Sequence, residues 1–299
     1  MVRLAILGFG LIGGSVARAL AARALAAREP GSWQVTAWNR SPTSPSRALA
    51  DGLLAAVAHD PVAAAGDADV VLLAASPTAN VALASLVGPV VAARGGLLSD
   101  VTGVQRPMAA ATAAVEGLRF VGGHPMAGRE ERGYGAATAD LFVHRPWVVL
   151  RGGRATDADV ALVRRLAEAC GARPIELDPD AHDDAVALIS HLPLVAAVAL
   201  VETVAAEPDG PLARRLAAGG WRDMTRLARG DPQLGAGMLA LNAPADAKAL
   251  RGYRARLDAW QARLDMLAES GGADGATEEL GQDLAALARL AAATPPEPS

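Results

Sequence analysis

One cysteine, Cys170, in 299 residues leaves no disulfide within the chain and no cysteine-based metal cluster. No metal site is expected. Aromatic residues make up only 3% of the chain, so the core has to be built from Ala, Val and Leu, with closely packed helices. An excess of positive charge is also missing. The 28 basic and 32 acidic residues leave a net charge of −4, which argues against a nucleic-acid binder held mainly through phosphates. No stretch of about 18 consecutive apolar residues is free of charge and clustered glycines, so no membrane span is expected. The apolar N-terminus does not read as a signal peptide, because glycines interrupt it and Arg18, Arg23 and Arg28 follow. A cytoplasmic protein is the expectation. What is present is the composition of a globular protein, 52% hydrophobic and 20% charged. The length suggests two domains.

The first twenty residues organise the rest. An apolar run over 2–7 meets Gly8-Phe9-Gly10-Leu11-Ile12-Gly13-Gly14-Ser15, and an Ala-rich run follows. This pattern predicts a buried strand, a glycine turn and a helix. Gly8 lets the chain turn sharply. Gly10 lets a pyrophosphate approach the backbone, and Gly13 lets helix and strand pack closely. The N–H groups at the helix start, around Leu11 and Ile12, face the phosphate. The bland alternative is a Gly-rich turn without a ligand. Residues 34–38 read as the second strand. An acidic residue at its tip would bind the ribose hydroxyls of NAD. The tip here is Asn39-Arg40-Ser41. Arg40 can pair with a 2′-phosphate, and Asn39 and Ser41 can hydrogen-bond it. NADP is therefore favoured over NAD. Ser76 and Pro77 follow a buried strand over 69–75 and are expected neighbours of the cofactor.

Further strands are predicted over 96–99, 119–121, 146–150 and 173–177. A helix over 80–91 is expected to break at Gly88-Pro89. Alternating strands and helices give an α/β fold, a doubly wound parallel sheet of the Rossmann type covered on both faces. Ligands in such sheets sit beyond the carboxyl ends of the strands. The segments 100–105 and 122–128 both follow strand ends and should converge on the crevice of the glycine loop. After Asp178 no strand pattern returns. The expected division is a dinucleotide-binding domain over 1–177 and an all-α substrate and dimerisation domain over 178–299. The helical half carries more Ala/Leu-rich surface than one core can bury, so a homodimer is expected.

Five segments, in this order, resemble the prephenate/arogenate dehydrogenase family, whose enzymes make the precursor of tyrosine. They are Gly8 to Ser15 (GFGLIGGS), Asp100 to Gln105 (DVTGVQ), His124 to Gly133 (HPMAGREERG), His182 to Pro193 (HDDAVALISHLP) and Gly220 to Asp231 (GWRDMTRLARGD). The resemblance implies NAD(P)-dependent oxidative decarboxylation of prephenate, with arogenate as the alternative substrate. The substrate is a cyclohexadiene carrying a hydroxyl and, on the opposite ring carbon, a carboxylate. Its oxidation needs a base that is neutral near pH 7, a cation for the carboxylate and a cofactor held over the ring.

His124 suits the base, with an ordinary pKa of about 6.5, and the resemblance implies the same role. Arg226 suits the carboxylate clamp, because its planar fork grips a carboxylate in two places. The family pattern puts the substrate-binding Arg there. Glu130 and Asp223 match family positions near the site entrance. His191 packs near the ring or fills the domain interface. His182 and Asp183 read as a hydrogen-bonding pair at a helix start. The chain departs from the family pattern at several points. Gly103 stands where the family usually carries a Ser that helps bind the hydroxyl and the catalytic His, and adjacent Thr102 could substitute through its own hydroxyl. Gln105 replaces a Lys, Leu194 a second His, and Gly235 a Trp. Losing these polar contacts suggests altered side-chain specificity or weaker activity. A silent dinucleotide-binding regulator is the alternative from another class. A β-hydroxyacid dehydrogenase would need a Lys in the run 180–207, which contains none.

Overall fold

The computed structural model describes residues 1–27, 33–129, 131–269 and 274–293. By contacts the chain forms two compact units, Met1–Asp246 and Ala247–Ser299. The first opens with β1 (Val2–Leu7), α1 (Leu11–Ala27), β2 (Trp33–Trp38), α2 (Thr43–Ala50), β3 (Ala56–Val57) and α3 (Pro61–Gly66). It continues with β4 (Val70–Leu73), α4 (Pro77–Ala93), β5 (Leu97–Asp100), α5 (Arg106–Ala113), β6 (Arg119–Pro125), β7 (Pro146–Arg151), α6 (Asp157–Ala169) and β8 (Arg173–Leu177). Among the described residues only helices follow: α7 (Pro179–Val186), a π-helical turn (Ala187–His191), α8 (Leu192–Ala206), α9 (Gly210–Arg215), α10 (Gly219–Thr225), α11 (Pro232–Leu241), α12 (Ala243–Glu269) and α13 (Asp274–Ala292). In the second unit Arg263 reaches Asp283 at 2.8 Å and covers the ring of Trp260.

The eight strands form one sheet in the order β3-β2-β1-β4-β5-β6-β7-β8. The first six run parallel. β7 is antiparallel to β6, and β8 is parallel to β7. The sheet is predominantly parallel, as expected, and this one antiparallel pairing lies toward its edge. A strand buried on both faces, as Trp147 to Leu150 are, shows the same apolar run in either direction. The reversal keeps the β6–β7 connection at the carboxyl end of β6, where it walls the crevice. Tyr134, in that connection, lays its ring 5.3 Å from Phe9.

Both faces of the sheet are covered. One core gathers Leu4, Ile6, Val16, Trp147 and Leu166. The other gathers Leu7, Val71, Leu83, Val87 and Met108. α4 runs unbroken through Pro89, against the expected break. A Cβ on Gly88 would lie 3.1 Å from Val115 and 3.2 Å from Leu118. Close helix packing, more than local propensity, therefore explains this Gly. α3 begins where His59-Asp60-Pro61 suggests: Asp60 accepts from the N–H of Ala63 at 2.7 Å.

The continuous helix Pro179–Ala206 has 28 residues and a window of mean hydropathy 2.0. Among the described residues one helix is therefore long and apolar enough to cross a membrane by length and composition alone, the test that a core helix also passes. Its first part carries His182, Asp183 and His191, all buried and hydrogen-bonded to neighbouring elements. Leu188, Ile189 and Val198 on the same helix are exposed.

Candidate active site

The glycine loop has the geometry its sequence predicts. Gly8 has φ +102°, and a Cβ on it would lie 2.4 Å from the backbone nitrogen of Ala75. A Cβ on Gly13 would lie 2.2 Å from the carbonyl oxygen of Gly8. At Gly10 a Cβ would meet nothing within 4 Å. The backbone there is open, and the first-turn N–H groups of α1, including those of Leu11 and Ile12, lack helical acceptors. This cradle fits a dinucleotide pyrophosphate. Asn39 supports the loop: its Oδ1 accepts from the N–H of Phe9 at 3.1 Å, and its Nδ2 donates to the carbonyl of Ser41. Both ends of that amide are thus engaged within the protein. Arg40 and Ser41 are exposed. Ser76 precedes α4 and is exposed, and Pro77 is buried at its first turn.

His124 lies near the end of β6, paired with Val148 of β7. The two glycines before it answer to what surrounds them. A Cβ on Gly122 would lie 2.2 Å from Oε1 of Gln105, and one on Gly123 would lie 2.5 Å from the carbonyl oxygen of Asp100. Asp100 is fully buried and accepts from the N–H groups of Gly123 and Thr102 and from Nε2 of Gln105. Burial raises its pKa to about 6, against the opposing pull of these bonds. Gln105 Nε2 also donates to the carbonyls of Thr102 and Gly123. Thr102 is 2% exposed, and its hydroxyl accepts from Nδ2 of Asn80 at 2.9 Å. It bonds within the wall and does not bond the ring of His124.

Nδ1 of His124 lies 2.9 Å from Nε2 of His182, and Nδ1 of His182 lies 2.8 Å from Oδ1 of Asp183. Asp183 accepts from the backbone N–H groups of Gln105 and Arg106, each at 2.8 Å. His182 and Asp183 are the hydrogen-bonding pair expected near a helix start, and both also reach beyond their own helix. Asp178 caps α7, through the N–H groups of Asp180 and Ala181. Asp183 caps α5 from a distance, and His182 joins it to His124. Burial pushes the Asp183 carboxyl up, but its bonds from His182, Arg106 and Gln105 outweigh this and hold it below the ordinary carboxylate range. Burial lowers the pKa of His124 to about 3, with His182 and His191 adding to the effect and Asp183 opposing it. His124 is therefore neutral near pH 7.

Two residues that sequence reasoning did not assign to the site tie it to the helices. Arg106 reaches Asp180 and Asp184, each at 2.6 Å, and Asn242. Asn242 donates to the carbonyl of Asp183 and to Asp246. His191 is buried, with its Nδ1 2.9 Å from Oδ1 of Asp246. No local sequence signal marks Arg106, whose partners lie more than 70 positions away. α11 closes over this end of the sheet: a Cβ on Gly237 would lie 3.8 Å from Thr78. A Cβ on Gly103 would lie 3.4 Å from Nε2 of His124 and 3.8 Å from the sulfur of Met238. The free nitrogen of His124 thus faces the space left by the missing side chain at 103. Arg226 and Asp223 are exposed at the end of α10, where the N–H of Arg226 donates to the carbonyl of Asp223. Glu130 lies outside the described residues.

A family model described as prephenate dehydrogenase, nucleotide-binding domain, matches residues 21–176, and one described as prephenate dehydrogenase, dimerization domain, matches 178–285. A prephenate dehydrogenase of Bacillus subtilis is 38% identical over 117 residues, 39% of this chain and 32% of that protein's length. A cyclohexadienyl dehydrogenase of Zymomonas mobilis is 30% identical over 252 residues, 81% of each. The crystal structure of Synechocystis arogenate dehydrogenase superposes with a TM-score of 0.76 at 27% identity, covering 96% of this chain and 99% of that one.

Proposed function

We infer the activity from one premise: the chain belongs to the prephenate dehydrogenase family. We propose that it catalyses the oxidative decarboxylation of prephenate to 4-hydroxyphenylpyruvate, with reduction of NAD(P)+. The observation that carries the reading is His124, a half-buried neutral imidazole at the carboxyl end of β6, with its unbonded nitrogen toward Gly103. It takes the proton of the ring hydroxyl as that carbon becomes a carbonyl. Carbon dioxide then leaves, and the electron pair of the broken bond enters the ring and makes it aromatic. Gly8, Gly10, Leu11, Ile12 and Gly13 would hold the cofactor's pyrophosphate. The nicotinamide, when bound, supplies the hydride acceptor. Arg40 and Ser41 support a preference for NADP.

Arg226 grips the carboxylate, and the family pattern gives Asp223 and Glu130 a part at the site entrance. His191, held by Asp246, faces the substrate from the helical side. Thr102 acts as a brace for Asp100 and Asn80 more than as a replacement for the missing serine hydroxyl. Residues 1–177 form the nucleotide-binding domain and 178–299 the helical domain of a cytoplasmic enzyme with a small-molecule substrate. Arogenate is the second reading. It is favoured by the apolar Leu194 and the bare Gly103 where polar contacts are expected, and by similarity to the Synechocystis enzyme.

The test is initial rates with prephenate and arogenate, each with NAD+ and NADP+. Reduced cofactor should accumulate, faster with NADP+. Cofactor that binds yet stays oxidised with both substrates would leave a silent nucleotide-binding protein. The exposed Leu188, Ile189, Leu212, Leu216 and Met224 form the kind of apolar surface that a second copy of the chain covers. Light scattering on the eluted protein should give twice the chain mass. The mass of one chain would refute the homodimer.

A further inference from the structure

We propose that the proton taken from the substrate hydroxyl is held on His182 during hydride transfer and returned through His124 as the ring becomes aromatic. The proposal rests on the prephenate dehydrogenase reading given above. It starts from the hydrogen bonds, which fix every proton in the chain of groups. Asp183 receives two backbone N–H groups, so its carboxylate is an acceptor toward its third partner. His182 therefore donates from Nδ1 to Asp183, and its Nε2 carries the lone pair. His124 must then donate from Nδ1 across 2.9 Å to that nitrogen. The one imidazole nitrogen of the pair left with an unused lone pair is Nε2 of His124, at the space beside Gly103.

A proton arriving at that nitrogen puts hydrogen on both nitrogens of the His124 ring. One of them already points at an acceptor. Its transfer to Nε2 of His182 leaves His124 neutral and places the positive charge on the ring that touches Asp183. The two rings meet edge to face, with centroids 5.1 Å apart. Charge on His182 therefore sits one ring nearer the carboxylate, where attraction is stronger. The other charged or titratable groups around the pair are Asp100 on β5, Arg106 on α5 with its partners Asp180 and Asp184, and His191 with Asp246. None of these bonds either ring of the pair. Burial also makes the His124 ring alone a poor seat for charge.

The hydroxyl O–H bond breaks, its proton goes to Nε2 of His124, and the Nδ1 proton of His124 goes to Nε2 of His182. The hydride leaves its carbon for the nicotinamide with both electrons of the C–H bond, and the oxygen becomes a carbonyl. When carbon dioxide departs, the oxygen becomes a phenolate and takes the proton from Nε2 of His124, which recovers its own from His182. No net proton is lost or gained at the protein.

His182 is thus a positioning residue that acts through His124. Two measurements on the full-length protein test it. The first uses no substrate. In protein labelled with 15N-histidine, with resonances assigned through His124→Asn, lowering the pH should convert the His182 ring to imidazolium while the His124 ring remains neutral. Protonation of His124 first would overturn the proposal. The second compares wild type with His182→Gln in mixtures of light and heavy water. The wild-type rate should fall along a curve as deuterium rises, because two protons move. The variant should give a straight line, with kcat lower by about 10- to 100-fold and KM for prephenate little changed. A straight line for the wild type, or an unchanged curve in the variant, would overturn it. If His182→Gln does not fold, the first measurement still decides. Failure of turnover with every substrate, with the order of protonation as expected, would sink the activity and leave the resting proton order standing. Turnover with the order reversed would sink the relay alone.

Discussion

Replacing His124 with Asn is expected to lower kcat for prephenate by about 10²–10⁴-fold, the range of a well-placed general base. The amide nitrogen of Asn can still donate toward His182, so Asp183, the start of α5 and the Arg106 contacts to α7 should hold. What disappears is the second ring nitrogen, the one beside Gly103. KM should change little, because the carboxylate is gripped elsewhere. The wild-type site holds its imidazole neutral by burial, so protonation of the resting base does not limit the rate near pH 7. Steady-state rates under saturating cofactor provide the check, with circular dichroism to confirm the fold. A variant that keeps kcat within tenfold of wild type would show that His124 is not the base, whatever its surroundings.

The sequence reading reached His124 and the glycine loop because each is a local pattern. A strand, a glycine and a helix within twenty residues fix the loop. Alternating apolar strands fix the sheet, and a His after two glycines at a strand end fixes the candidate base. The direction of β7 was not legible, since an apolar run buried on both faces has no polarity. The break expected at Gly88-Pro89 was wrong for a related reason. Propensity marks a weak point in a helix, but the packing of Gly88 against Val115 and Leu118 decides the outcome. The relay was least visible of all. His124 and His182 are 58 positions apart, and Gln105 and Asp183 are 78 apart. Adjacent His182 and Asp183 read as a local pair when the fold uses them to bridge two elements. Gln105 read as a lost lysine, although its amide nitrogen donates to Asp100, Thr102 and Gly123. Only the fold brings those acceptors together.

The glycine loop allows stability and ligand binding to be separated in one short stretch. Gly8→Ala is expected to cost about 3 kcal/mol or more. The new Cβ would sit 2.4 Å from the nitrogen of Ala75, and the backbone is held at φ +102°, where side chains are strained. The melting temperature should drop by about 10 °C, given the size of the chain. Gly13→Ala should behave alike, because its Cβ would press on the carbonyl oxygen of Gly8. Gly10→Ala is the informative case. Among the described residues, chain neighbours apart, nothing lies within 4 Å of the added atom, so the fold should tolerate it within about 0.5 kcal/mol. A pyrophosphate on the first turn of α1 would meet that methyl directly. The dissociation constant for NADP should rise at least about tenfold, equivalent to roughly 1.4 kcal/mol, with the melting temperature almost unmoved. Calorimetric titration of the three variants beside their melting curves makes the comparison. If Gly10→Ala binds the cofactor as wild type does, the empty space over this glycine is not where the phosphates lie. The open backbone at the head of α1 would then need another occupant.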